Sequence, residues 1–316
     1  MSIRVARAGA LTTVQDRGRR GWQHDGVPVS GAMDDVAMRT ANWLVGNDAG
    51  AAVLEATIAG PSLEVDEDTT FAITGADMDA RLHGLRIRPW HTVRVRAGET
   101  LTLDGARRGC RAYIAVAGGI AVAPTLGSRS TYARAGFGGY HGRPLERGDV
   151  LAVGKARSSI RDMRPRGIDV RRLDLNRHTV RLVPGPHWRA LTGESRLALA
   201  EGRYTLTSGS DRMGFRFAGE PLRLACDVDV LSAGVTTGTM QLPPDGQPIV
   251  LMTDRQTTGG YPRIGEIATV DLPILAQLRP GDSIRVEAIP HQEAERLYLA
   301  RECELDCLRR LLAMPG

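Results

Sequence analysis

The stretch richest in chemistry lies at residues 246–262 of the 316-residue chain. It opens as a turn, because Pro243, Pro244, Gly246 and Pro248 are residues that fix or free the backbone for one. Ile249 to Met252 is an apolar run too short for a helix between such breakers, and it reads as a buried strand. Six polar side chains follow: Thr253, Asp254, Arg255, Gln256, Thr257 and Thr258. Gly259, Gly260 and Pro262 then close the segment. A strand that delivers a carboxylate, a guanidinium, a carboxamide and hydroxyls to one place can build a small-molecule site. The same residues can also make a polar hairpin tip in which Asp254 and Arg255 satisfy local backbone.

Other segments repeat this chemistry on a smaller scale. Gln15, Asp16 and Arg17 sit in an apolar-to-polar passage broken by glycines. Asp211 and Arg212 occupy a tight polar turn over 208–215. Arg129 lies in a loop with Ser128, Ser130 and Thr131, which reads as a surface loop or a site wall. Ser30 and Asp34 precede a helix, where their plainer role is capping. The seven histidines are scattered, with no HxH or HExxH. Cys303 and Cys307 are four apart without a histidine nearby, so no metal is expected. There is no phosphate loop around Lys155, the only lysine, and no GxSxG elbow. A self-contained catalytic apparatus is not visible, which points to a subunit that shares its chemistry with a partner.

These groups need elements to hold them. High glycine (37 residues) and few aromatics (4%) favour turns and short strands. Strands are expected at 3–5, 52–58, 62–65, 71–74, 93–103 and 110–116. After a break they resume at 180–183, 203–207 and 222–231. Asp34 and Asp35 open the clearest helix of the first half, where carboxylates meet free amides. Asp271 is expected to cap a short helix, and 291–313 is an amphipathic helix whose stripe is Leu297, Leu305, Leu308 and Leu312. The charged segment 161–172 reads as a linker. The expected domains are therefore 1–160 and 173–290, with 291–316 as a terminal helix. A turn of type Arg-x-Gly-acid follows a polar-ended strand in both halves, as two similar β domains would produce.

The net charge of +5 is almost all arginine, scattered in pairs. Nucleic-acid binding would want a basic stripe with aromatics between, so none is expected. No apolar run nears the roughly 20 residues that span a bilayer, and Arg4 and Arg7 interrupt the N-terminus. A cytoplasmic location is expected.

Five segments then resemble a known family. They are Thr13-Val14-Gln15-Asp16-Arg17-Gly18-Arg19, Gly26 through Asp34, Leu126 through Tyr132, Ser210-Asp211-Arg212-Met213-Gly214, and Pro244 through Pro262. In this order, from about residue 3 to 290, they resemble the KipA family, which includes the C-type subunits of 5-oxoprolinase and allophanate hydrolase subunits 2. The resemblance implies a mainly β fold of two tandem cyclophilin-like β-barrels. It also implies a KipI-type partner (the B-type subunit of 5-oxoprolinase, or allophanate hydrolase subunit 1). The expected function is a subunit of an ATP-dependent hydrolase of a small amide or lactam, 5-oxoproline or allophanate. One alternative is the carboxyltransferase component of a biotin-dependent urea-type carboxylase, with biotin carried by a partner. The other is a regulatory protein acting with a KipI-type kinase inhibitor. No tightly bound cofactor is expected, though the complex would consume ATP.

Those substrates all present an amide carbonyl and N–H. Asp254 and the carbonyl of Gln256 could accept from the N–H, and Arg255 or amides near Gly259 could hold the carbonyl oxygen. Asp254, Arg255 and Gln256 are thus the expected catalytic residues. Thr257, Thr258, Asp211, Arg212, Arg129, Gln15, Asp16 and Ser30 are the expected substrate contacts, with Arg212 or Arg129 suited to a substrate carboxylate.

Overall fold

The computed structural model describes residues 1–157, 165–169, 178–226, 228 and 230–314. The chain forms two compact units: Met1–Arg20 with Ser30–Leu173 and Cys307–Gly316, and Gly21–Val29 with Asp174–Asp306.

In the first unit the strands are β1 (Ser2–Arg7), β2 (Leu11–Gln15), β3 (Val53–Thr57), β4 (Ser62–Val65), β5 (Thr69–Asp77) and β6 (Arg81–Leu82). They continue as β7 (Leu85–Arg86), β8 (His91–Val95), β9 (Thr100–Thr102), β10 (Arg108–Val116) and β11 (Val150–Ala152). They make a six-stranded sheet, β11-β1-β4-β9-β6-β7, and a five-stranded sheet, β2-β3-β10-β5-β8. One core takes residues from both sheets, with Ile3, Val5, Leu63 and Leu101 from the first and Val14, Leu54, Phe71 and Ile114 from the second. β1 alternates, with Ile3 and Val5 buried and Arg4 exposed, the period-2 pattern of a sheet with one wet face. β10 is buried from Cys110 to Val116 because helix α1 (Asp35–Leu44) packs on it and on β5.

The sequence expectation for α1 holds. Asp34 caps it, its side chain accepting from Ala37 N at 2.8 Å. Thr74 Oγ1 donates to Ala37 O at 2.7 Å and pins the helix to β5. Much of the expected linker 161–172 lies outside the described residues. Its described part adds to the edge strand β8: His91 bridges Gly167, and Thr92 N donates to Arg166 O at 2.8 Å.

The second unit is a closed seven-strand barrel. Its elements include β12 (Thr179–Pro184), α2 (Gly193–Glu201), β13 (Tyr204–Leu206), β14 (Gly214–Ala218) and β15 (Ala233–Gly234). β16 (Thr239–Gln241), β17 (Ile249–Leu251), β18 (Thr258–Gly259), β19 (Arg263–Ile267), α3 (Leu272–Ala276), β20 (Ser283–Ala288) and, as far as Asp306, α4 (His291–Ala313) follow. The order around the barrel is β12-β19-β16-β17-β14-β13-β20, and β12 closes it by pairing in parallel with β20. Closure leaves no open edge in this sheet. Inward residues alternate with polar ones: Phe215 and Phe217 flank Arg216 on β14, and Ile284 and Val286 flank Arg285 on β20.

Several details differ from the sequence reading. Among the described residues no strand forms over 222–231, and the expected strand 93–103 divides into β8 and β9 around a turn. Asp271 does not cap α3; its carboxylate takes Arg181 instead, by Nε at 2.8 Å, Nη2 at 2.5 Å and the backbone N at 2.7 Å. A fully buried carboxylate is better served by a bidentate guanidinium than by one amide. Helix α2 lies outside the sequence expectation, because it carries no apolar stripe; only Ser195 and Leu199 are buried along it. Its local support is Thr192, whose side chain accepts from Ser195 N. The terminal helix α4 has the expected limits, with Leu305 fully buried and Leu297, Leu308 and Leu312 half-buried. Among the described residues no helix is long and apolar enough to cross a membrane.

Candidate functional site

In both units, expected site residues gather around a buried carboxylate. In the first, β2 ends at Gln15 and delivers Asp16, which is buried, against the loop 126–132. Asp16 Oδ1 accepts from Ser128 Oγ (2.5 Å), Ser130 Oγ (2.6 Å) and Gly18 N (2.8 Å), while Oδ2 accepts from Arg129 N (2.6 Å). Ser128 and Ser130 meet one carboxylate because alternate residues of an extended loop face the same way. Arg129 is fixed beside them, its Nε donating to Val122 O at 2.8 Å. Gln15 donates to Thr13 Oγ1 at 3.0 Å and Thr131 O at 3.3 Å, and its buried Oε1 has no partner.

Ser30 reaches the same centre by a strained route. Its φ is +55°, its side chain is buried, and its Oγ has no partner among the described residues. Gly31 beside it, at φ +92°, could not carry a Cβ without meeting Gly18 N at 2.9 Å. Ala32 N then donates to Asp16 O at 3.0 Å. The structure therefore brings Gln15, Asp16, Ser30 and Arg129 together. It adds Arg19, buried over the Phe137 ring at 4.8 Å and donating to Ser130 O. It also adds a buried link that sequence reading missed. Tyr113 Oη donates to Glu55 Oε2 and accepts from Asp34 N, both at 2.8 Å. Burial first, and then the Glu55 carboxylate, pushes the Tyr113 phenol well up.

In the second unit β17 ends in the polar run. Asp254 is buried and paired with Arg212: Nε to Oδ2 at 2.9 Å and Nη2 to Oδ1 at 3.2 Å. Arg212 Nη2 also donates to Thr253 Oγ1 at 3.0 Å, and Asp254 N donates to Arg212 O at 2.8 Å. Asp211 folds the turn that presents Arg212, its Oδ1 accepting from Met213 N (2.8 Å) and Gly214 N (3.2 Å). Arg255 points elsewhere, with Nε on Val235 O at 3.2 Å and Nη1 on Thr237 Oγ1 at 2.8 Å. Gln256 and Thr258 are exposed, and Thr257 is half-buried with its carbonyl accepting from Val235 N.

Sequence reading missed the neighbours of Arg255 on β16 and β19. Glu266 lies opposite Thr239, which donates to its Oε1 at 3.2 Å. Burial pushes the Glu266 carboxyl up, and Thr239, Arg255 and Arg263 offset part of that rise. Gln241 lies opposite Arg263; its Nε2 is buried, has no partner among the described residues, and would sit 2.4 Å from a Cβ at Gly259. The available signal was strand alternation, since Thr239 and Gln241 share a face and Met240 takes the core.

Asp16 and Asp254 are each held by several donors of their own unit, which fixes the geometry of both side chains. The donors Gln256 and the hydroxyls of 257–258 suit the oxygen of a carbonyl or an anion.

Residues 25–288 match the family model for the carboxyltransferase domain, subdomain A and B. The chain is 42% identical over 292 residues to the C-type subunit of 5-oxoprolinase from Escherichia coli, covering 92% of this chain and 93% of that one. It is 38% identical over 303 residues to the corresponding 5-oxoprolinase subunit from Haemophilus influenzae, covering 95% of each. The crystal structure of Kluyveromyces lactis urea carboxylase matches all of this chain with a TM-score of 0.87 and 27% identity, over 30% of that longer chain. The chain belongs to the carboxyltransferase domain family, subdomain A and B.

Proposed function

We propose that the chain is the C-type subunit of a multi-subunit 5-oxoprolinase, a hydrolase that opens a small lactam at the expense of ATP. The observation that carries this reading is the end-to-end match to the C-type subunits of two 5-oxoprolinases, which spans nearly the whole of each chain. The chemistry is consistent with it. Two of the buried carboxylates, Asp16 and Asp254, are already engaged by neighbouring donors. A site built largely of donors binds and polarises a carbonyl, and needs a base and nucleophile from elsewhere. That requirement fits a KipI-type partner that completes the site. Within this chain, Gln256 meets the substrate carbonyl and Thr257 and Thr258 border it, while Arg255, buried and donating to Val235 O and Thr237 Oγ1, is a positioning residue. Arg212 and Asp254 are positioning residues that fix the segment. In the first unit, Gln15 and Asp16 are positioning residues that hold the loop carrying Arg129.

The test is 5-oxoproline-dependent ATP hydrolysis by this chain co-purified with the products of its neighbouring genes. Activity that is lost when this chain alone is omitted supports the reading. Rapid turnover by the isolated chain overturns the shared site.

A second reading has its own support. The fold match to urea carboxylase covers all of this chain, which suits a carboxyltransferase component acting with biotin on a partner. A stable complex that is inactive on 5-oxoproline but carboxylates urea with a biotin carrier would favour it.

A further inference from the structure

The loop after the turn at Ala133–Ala135 is built for something other than solvent exposure. Gly138, Gly139, His141 and Gly142 have φ of +70, +56, +54 and +69°, while Tyr140 between them is not left-handed. A change of hand between neighbours turns consecutive amides to one side, the geometry of an anion-binding nest. The amides of Phe137, Gly142 and Arg143 donate to Tyr132, Gly138 and Tyr140. Those of Gly138, Gly139, Tyr140 and His141 donate to no acceptor among the described residues.

Residues 136–142 line a cavity of about 480 Å³, whose other walls include Val122, Thr125 and Val150. The backbone is set by space as well as by angle. A Cβ would lie 2.2 Å from Ser130 O at Gly138, 1.9 Å from Thr131 Oγ1 at Gly139, and 2.0 Å from Gly136 O at Gly142. His141 is a non-glycine residue in the left-handed region, a strain often kept at ligand-holding loops.

The local charge agrees. The Arg19 guanidinium is buried behind the loop, its Nη2 2.7 Å from the Cβ position of Gly138. A fixed positive charge in a low-dielectric setting favours an anion nearby. Asp16, beyond Ser130, offsets part of this field. Asp149 is neutralised in a two-bond pair with Arg143, both bonds at 2.8 Å.

We propose that this cavity is a subsite for a small oxyanion, a carboxylate or a phosphoryl group, held by the backbone amides of residues 138–141 with Thr125 among its walls. This inference does not depend on the hydrolase reading.

The test is an amide-resonance titration of the full-length ¹⁵N-labelled chain with inorganic phosphate and, separately, with acetate, at constant ionic strength kept with sodium chloride. Saturable shifts at Gly138, Gly139 and His141 are expected with at least one anion. Saturation by phosphate alone identifies a phosphoryl subsite, and by acetate alone a carboxylate subsite. Gly139→Ala keeps its amide but its Cβ would meet Thr131 Oγ1 at 1.9 Å, so the displaced backbone should weaken binding about tenfold or more, the value of one misdirected amide bond to an anion. His141→Gly keeps every amide and should bind within about twofold of wild type. Four results would overturn the proposal: no saturable shift, the same shifts with chloride alone, loss of binding in His141→Gly, or wild-type affinity in a folded Gly139→Ala. If Gly139→Ala does not fold, the wild-type and His141→Gly titrations decide.

Discussion

At the scale of single residues, the Arg212–Asp254 pair shows how the polar run after β17 is held. Both side chains are about nine-tenths buried, at 11% and 9% exposure. Removing one partner strands the other charge away from water. Arg212→Ala should therefore lower stability by about 3 kcal/mol, read as a fall in the urea midpoint at unchanged slope. Arg212→Met with Asp254→Leu should recover most of that loss, because a neutral apolar pair strands no charge. Glu266 makes the opposite case. Its folded-state carboxyl titrates above the ordinary 4.5 because burial disfavours the charge. The folded chain then holds the proton more tightly than the unfolded one. The contribution is fully present below pH 4.5 and is lost as pH rises through the raised value. Melting temperatures of wild type and Glu266→Gln, measured from pH 4 to 8, should diverge as pH rises, with the variant the more stable. A constant difference would rule this out. Gln256 belongs to a third kind, exposed and without structural duty. Gln256→Ala should lower kcat/KM for 5-oxoproline in the reconstituted complex by about tenfold, the loss of roughly one substrate hydrogen bond, with the melting temperature unchanged.

At the scale of elements, local chemistry decided where helices start and tertiary packing decided which ones could be recognised. The α1 start was legible because Asp34 and Asp35 are strong N-terminal residues and because the apolar positions recur at helical spacing. Asp34→Ala should cost about 1 kcal/mol through the lost cap, measured by chemical denaturation. Helix α4 was legible to the residue because Pro290 precedes it and an apolar stripe runs along it. Leu305→Ala should destabilise by about 2–4 kcal/mol, as for a fully buried leucine. Leu311→Ala, 65% exposed, should stay within about 0.5 kcal/mol. Equal effects would show that the stripe is wrongly placed. Helix α2 was illegible because its residues carry no such stripe. Asp271 was misjudged for a related reason: a carboxylate before a helix suits capping on local grounds, and only the fold brings Arg181 from β12 to it.

At the scale of the whole molecule, the strand inventory leads to two units of different closure. The second is a barrel because β20, the last strand, returns to pair in parallel with β12, the first. The first has two sheets around a common core, with one of them covered by α1. The expected pair of β units in one mainly β chain is what the fold contains, and the family match extends over most of both. The prediction at this scale concerns assembly. Co-expression with the neighbouring gene products should give a complex whose 5-oxoproline-dependent ATP hydrolysis is at least about a hundredfold above that of any mixture lacking this chain. Undiminished activity without it would remove the chain from the catalytic assembly.

The sequence by itself determined the mainly β character, the two glycine-rich halves, helices α1 and α4, and the polar segments from which both centres are made. These follow from periodicity, caps and turn residues, which act over a few residues. Only the tertiary structure decided what each polar group does. Asp16 meets Ser128 and Ser130 across more than a hundred residues, Asp254 meets Arg212 across forty-two, and Tyr113 meets Glu55 across fifty-eight. Buried polar groups must find partners wherever the fold brings them, and sequence spacing carries no record of those long-range meetings. For the same reason Gln241 and Glu266 passed unnoticed on their strands until β16 and β19 were set side by side.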